Sequence, residues 1–279
     1  MRVDAHQHFW RLDRGDYGWL TPEFGMLYQD FLPDQIRPHL LKHDIQRTIL
    51  VQAAPTIAET EYLLSLYARY DFIAGVVGWL DLEAGEFKKE FERLLDDQGF
   101  VGIRPMLQDL EDDQWILRPD VLKSIEILAE RDFPIDLLIK PRHLPHIRTL
   151  MREFPELRAV INHIAKPDIS SGLDKEWKEG IEELAGYPHI MCKLSGIITE
   201  AAQPYSVSQI RPFVHHVVEA FGKDRVMFGS DWPVCLLAGS YDDVYGALRN
   251  TLPDSIDLQK LFGENAARFY QLKTKGGCT

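Results

Sequence analysis

Cysteine is scarce in this chain of 279 residues. Cys192, Cys235 and Cys278 lack the paired spacing of a metal finger, and three thiols cannot all pair within one chain. A disulfide framework is excluded, and the three read as reduced thiols of a cytosolic protein. Basic charge is also short. Lys and Arg number 31 against 43 Asp and Glu, a formal net charge of −12, and no long basic cluster offsets it. That balance argues against nucleic acid or an anionic membrane as a partner, because both are held by basic patches. No apolar run approaches the roughly 18 residues of a membrane span. No charged leader followed by an apolar segment opens the chain. The expectation is a soluble cytoplasmic protein, with a homo-oligomer left open.

What is present suits a single large domain over residues 1–279. Hydrophobic residues at 45% and charged residues at 27% are ordinary globular values, so a sizeable core is available. Short apolar runs predict strands over 2–8, 47–52, 73–80, 101–107, 135–139, 158–161, 190–194 and 226–228. Segments with helical spacing of apolar residues alternate with them, at 33–43, 60–70, 86–97, 119–131, 144–154, 175–185, 208–221, 242–250 and 257–272. Strict alternation of strand and helix implies a parallel sheet with helical crossovers, and eight repeats imply closure into a (β/α)8 TIM barrel. A doubly wound open sheet competes less well, since no Gly-rich phosphate loop follows the first strand. The connection after that strand is long and aromatic, with Trp10, Tyr17, Trp19, Phe24 and Tyr28. It reads either as a cover over one barrel end or as direct ligand contact.

The first strand carries Asp4-Ala5-His6-Gln7-His8. Alternate strand residues share a face, so His6 and His8 stand about 7 Å apart on one side and can grip one metal ion or one reacting oxygen. In such a barrel the active site lies at the carboxyl ends of the strands. Polar residues recur there: Gln52, Trp79 with Asp81, Arg104, Lys140, His163, Lys193 and Asp231. Their convergence on one mouth is the sharper reading. An ion pair of Arg104 with a carboxylate such as Asp81, a core role for His163 and a turn-capping role for Asp231 are the plainer ones. His215 and His216 sit mid-helix and read as packing or surface residues.

Read together, "DAHQHFW" (4–10), "GIRPMLQ" (102–108), "PRHLP" (141–145), "NHIAKP" (162–167), "CKLSG" (192–196) and "FGSDWP" (228–233) resemble the amidohydrolase superfamily. The closer resemblance is to its sugar-lactone hydrolase branch. It implies hydrolysis of a small lactone such as L-fucono-, L-rhamnono- or L-galactonolactone. His6 and His8 correspond to the paired first-strand histidines, His163 to the sixth-strand histidine and Asp231 to the eighth-strand aspartate. The chain departs from the full binuclear pattern, with Arg104 where a bridging lysine would stand and Lys140 in place of a fifth-strand histidine. One Zn²⁺ on His6, His8 and Asp231, or no metal, therefore fits better than two ions.

On this reading Asp231 activates water and then protonates the leaving oxygen. His6 and His8, with zinc or Arg104, stabilise the oxyanion, and His163 joins the catalytic group. Trp10, Trp79 and Trp232 offer flat faces to a sugar ring, while Gln52 and Lys193 orient its polar groups. Two alternatives remain: a decarboxylase of aromatic or dienoic acids on the same barrel, or a non-catalytic binder of sugar acids.

Overall fold

Eight apolar runs become strands in the computed structural model, which describes residues 1–273. They are β1 (Val3–Gln7), β2 (Arg47–Val51), β3 (Ile73–Gly78), β4 (Phe100–Ile103), β5 (Ile135–Leu137), β6 (Ala159–Ile161), β7 (Ile190–Leu194) and β8 (Val226–Phe228). Each pairs in parallel with the next in chain order. Past β8 the ring is carried round to β1. Asp231 N donates to the His6 carbonyl at 2.8 Å, His8 N donates to that of Trp232 at 2.7 Å, and Gln7 and Trp232 form a parallel bridge. The expected (β/α)8 TIM barrel is the fold. Cys278 lies outside the described residues.

Helices α1 (Pro33–Lys42), α2 (Ile57–Arg69), α3 (Phe87–Leu95), α4 (Pro119–Glu130), α5 (Leu144–Glu153), α6 (Lys175–Ala185), α7 (Val207–Phe221) and α8 (Tyr241–Thr251) follow the strands one by one. Several starts are written in the sequence. Asp174 accepts from Trp177 N, and Ser206 and Ser240 form capping boxes with Gln209 and Asp243. Each helix buries an apolar stripe, such as Ile147, Leu150 and Met151 of α5. A fully buried side chain of that size contributes about 1.5–3 kcal/mol.

Two expectations change. The helix over 257–272 is interrupted by a wide turn at Lys260–Glu264 before α9 (Asn265–Phe269). Buried Asn265 causes the departure to be held in place, donating to the carbonyls of Lys223 and Val226 at 2.9 and 2.7 Å and so pinning the segment to β8. β4 stops at Ile103, because Pro105 has no N–H to extend the ladder. Among the described residues no helix is long and apolar enough to cross a membrane.

The long connection after β1 is pinched at its base, where Trp10 and Phe31 exchange backbone hydrogen bonds of 3.0 and 2.9 Å. Inside the pinch, Trp10 packs edge-on against Trp19 and Phe31, and Phe31 packs against Trp232.

Asp4 fastens β1 to the segment after β8. Its carboxylate is buried and accepts from His6 N at 3.1 Å, Ser230 N at 2.9 Å and the Tyr241 hydroxyl at 3.0 Å. Burial raises its pKa to about 6 against the lowering pull of Ser230, His6 and Tyr241. Replacing Asp4 by alanine strands three buried donors, each costing about 1–3 kcal/mol. Denaturant titration of Asp4→Ala is expected to show a loss of about 3 kcal/mol; a loss under about 1 kcal/mol would reject this role.

Candidate active site

Three imidazoles and one carboxylate meet at the carboxyl-end mouth. Asp231 Oδ1 lies 3.2 Å from His8 Nε2, 3.7 Å from His6 Nε2 and 3.8 Å from His163 Nε2. The His6 ring stands edge-on to both other imidazoles, at centroid distances of 5.0 Å to His8 and 4.4 Å to His163. All four residues are buried.

Unusual backbone makes this crowding feasible. Asp231 has φ +58°, and His163, Ile164, Ala165 and Lys166 form a consecutive left-handed turn at φ +53°, +49°, +62° and +48°. Such residues cost roughly 1–2 kcal/mol each, and strain of this kind clusters where geometry serves a ligand. The turn is clamped by Lys166 N donating to the His163 carbonyl at 2.7 Å and by Trp177 Nε1 donating to that of Ile164 at 2.8 Å. Two glycines leave room for the rings. A Cβ at Gly196 would sit 2.8 Å from His163 Nδ1, and one at Gly229 would sit 2.5 Å from His6 Cβ. The glycines of "CKLSG" and "FGSDWP" are thus steric partners of the histidines.

Hydrogen-bond roles follow from what each neighbour can do. His8 Nδ1 faces the Val51 carbonyl at 2.8 Å, which only accepts, so that nitrogen carries the proton. Its Nε2 is left to receive one across the 3.2 Å contact with Asp231. His163 Nδ1 meets Ser195 Oγ at 2.9 Å. Burial holds His163 down to about 3, despite the nearby Asp231 charge, and also lowers His6 and His8, so all three stay neutral. Burial raises Asp231, but His163, His8 and Lys166 outweigh it and keep the carboxyl below its ordinary range. The mouth therefore presents one anionic oxygen pair among neutral rings.

Beneath His6 lies a polar chain only partly foreseen. Lys193 Nζ reaches His6 Nδ1 at 3.3 Å and is paired with Asp136 at 2.6 Å, both residues fully buried. Asp136 also accepts from Asn162 Nδ2 at 2.9 Å and the Tyr270 hydroxyl at 2.7 Å. The signal for Asp136 was its isolation as the one charged residue in an apolar strand, "PIDLL". Tyr270 and Ser195 carried none. On the other edge of His6, Arg104 approaches Nε2 at 3.4 Å and donates to the Gln52 carbonyl.

A cavity of about 300 Å³ opens above these groups, lined by His8, Arg104, His163, Lys166 and Asp231 with Trp19, Phe24, Leu27, Ala53, Met106, Gln108, Asp109, Leu138, Val234 and Leu237. Of the residues expected to meet substrate, Trp10, Gln52, Trp79, Lys193 and Trp232 are not part of this lining. Trp10 and Trp232 are spent on aromatic packing, Gln52 on the Arg104 carbonyl at 2.8 Å, and Lys193 on Asp136. Trp79 lines a neighbouring cavity instead, together with Asp81. Arg104 thus does not pair with Asp81, and Lys140 is not part of the mouth lining. The apolar wall comes from Trp19 and Phe24 of the long connection, which divides its aromatics between cover and mouth.

One ring nitrogen each of His6 and His163 and one carboxylate oxygen of Asp231 lie within 4.8 Å of one another and could hold a metal ion. Two imidazoles and a carboxylate with an open fourth position make a zinc-type donor set, and Ser195 orients the far nitrogen of His163. The set expected from sequence had His8 in place of His163. His163 enters on mutual distance alone, for the Val51 carbonyl orients the His8 ring with its Nε2 3.2 Å from Asp231 Oδ1, beside the same group.

Comparison with known proteins gives the family. A family model described as Amidohydrolase matches residues 3–272. An L-fucono-1,5-lactonase of Burkholderia ambifaria is 41% identical, over 99% of this chain and 97% of its own length. An L-fucono-1,5-lactonase of Burkholderia multivorans is 35% identical, over 98% and 96%. Among solved structures, an amidohydrolase from Burkholderia multivorans with bound zinc superposes with a TM-score of 0.91 at 34% identity, covering 98% of this chain and 100% of that one. With its motifs seated on one barrel mouth, the chain belongs to the amidohydrolase family.

Proposed function

We propose that the protein is a lactonase that opens a sugar-acid lactone, L-fuconolactone by analogy with the two Burkholderia lactonases, to its hydroxy acid. The observation that carries this reading is the ionised Asp231 carboxylate, 3.2 Å from a neutral His8 whose Nε2 can take a proton, beneath a cavity the size of a small ring. Asp231 removes a proton from water as its oxygen adds to the lactone carbonyl carbon. The carbonyl oxygen gains negative charge, which Arg104 stabilises from the cavity wall. The bond from carbonyl carbon to ring oxygen then breaks, and the proton returns from the Asp231–His8 pair to that oxygen. One water is consumed and one hydroxy acid is formed. Trp19, Phe24 and Leu27 cover the mouth and limit bulk water around the developing charge.

The residues fit one Zn²⁺ on His6, His163 and Asp231, which when bound would lower the pKa of water and polarise the carbonyl. The chain acts as a single catalytic domain. Its place is the cytoplasm, in keeping with the free, buried Cys192 and Cys235.

Three measurements test this. Asp231→Asn is expected to lower kcat on L-fuconolactone by about 10²–10⁴-fold while lactone still binds by calorimetry; unchanged turnover would remove Asp231 from the mechanism. The rate profile is expected to stay flat from neutral pH down to the ordinary carboxylate value of 3.8, because a base with a lowered pKa loses its charge only as pH falls through that lowered value. An acid limb centred on 6.5, the ordinary histidine value, would contradict the neutral imidazoles. Zinc added to chelator-treated protein should bind at about one ion per chain, with His163→Ala losing it. A stoichiometry of about two would overturn the mononuclear assignment.

A further inference from the structure

Beside the mouth lies a second, larger cavity of about 530 Å³. It sits on the same carboxyl-end face, built by the connections after β1, β2, β3 and β4, and shares Trp19, Met106 and Asp109 with the mouth as a common wall. Three indoles line it: Trp19, Trp79 and Trp115. Two are fixed by their edges. Trp19 Nε1 donates to the Ala53 carbonyl at 2.7 Å, and Trp115 Nε1 donates to Glu83 at 2.6 Å. Trp79 is held through its backbone, whose N–H donates to Thr60 Oγ1 at 2.8 Å and whose carbonyl accepts from it at 3.1 Å. No Lys, Arg or His belongs to the lining among the described residues, which excludes a carboxylate or phosphate as the occupant. The charged groups there are acceptors, Asp81 and Asp109 among them.

Flat apolar rings interleaved with carboxylate acceptors are what a sugar ring requires. Its C–H faces pack on indole, and its hydroxyls donate to carboxylates. Resting on the lactonase reading, we propose that this cavity is a subsite for a glycosyl residue carried by the lactone, so that the enzyme opens lactones of glycosylated aldonic acids. The shared residues set the two cavities side by side, so a substituent carried by the lactone ring has the second cavity as its neighbour. The chemistry that supplies such a lactone is two-electron oxidation of the reducing-end hemiacetal of an oligosaccharide, its C–H hydride passing to a nicotinamide-type acceptor and its hydroxyl proton to solvent.

The test compares L-fuconolactone with L-fuconolactones bearing one β-D-glucosyl group on each available hydroxyl. At least one derivative should exceed the parent in kcat/KM by about tenfold, the factor equivalent to about 1.4 kcal/mol. Trp79→Ala should abolish that advantage and leave hydrolysis of the parent unchanged, which also shows that the variant folds. Asp81→Asn should reduce the advantage in the same selective way. Parent hydrolysis with every derivative slower, or an advantage insensitive to both substitutions, overturns the subsite and spares the lactonase reading. No hydrolysis of any lactone overturns both. Saturable quenching of indole fluorescence by tetramethylammonium but not by methyl β-D-glucoside, lost in Trp79→Ala, would assign the cavity to cations and reject the glycosyl proposal.

Discussion

The site depends on a backbone seam. Where the last strand meets the first, Asp231 N donates to the His6 carbonyl and His8 N to the Trp232 carbonyl. These two bonds carry the parallel ladder across the ends of the chain and fix the acid against the histidine pair in the same act. The side chains therefore need no flexible segment to find one another. Buried Asp4 reinforces the seam by holding His6 N and Ser230 N on one carboxylate oxygen. A barrel that failed to close would leave His6 and Asp231 on opposite edges of an open sheet.

Electrostatic order is built on that geometry. Burying Lys193 with Asp136 would be costly for an isolated pair, yet Asn162 and Tyr270 supply the remaining donors to the carboxylate. The satisfied pair supports one edge of His6 while Arg104 stands at the other. Asp231 is then the anionic member of a cluster of otherwise neutral rings, and its charge faces the cavity. The left-handed turn from His163 to Lys166 and the αL conformation of Asp231 are strained positions held by closure and by Trp177.

Much of this was legible in the sequence for identifiable reasons. Strand and helix alternation was clear because buried parallel strands are short continuous apolar runs and the covering helices keep a helical period. His6, His8, His163, Arg104 and Asp231 were legible because a barrel gathers polar strand ends on one face. Tyr270 was not, since its hydroxyl reaches Asp136 across 134 positions of sequence, and nothing local marks that contact. The roles of the tryptophans were likewise hidden. Trp10, Trp79 and Trp232 look alike in sequence, yet two fill an aromatic cluster and one lines a second cavity.

By itself the sequence determined the class of fold, the residue types at each strand end and the family, because these follow from local periodicity and from short motifs read in order. The tertiary structure decided which of those residues meet. His163 joins His6 and Asp231, Lys193 and Gln52 serve other residues beneath the mouth, and Trp19 forms the wall between two cavities. The physical reason is that the direction of a side chain within a closed barrel is set by strand register, by left-handed turns and by competition for hydrogen-bond partners, all of which involve residues distant along the chain.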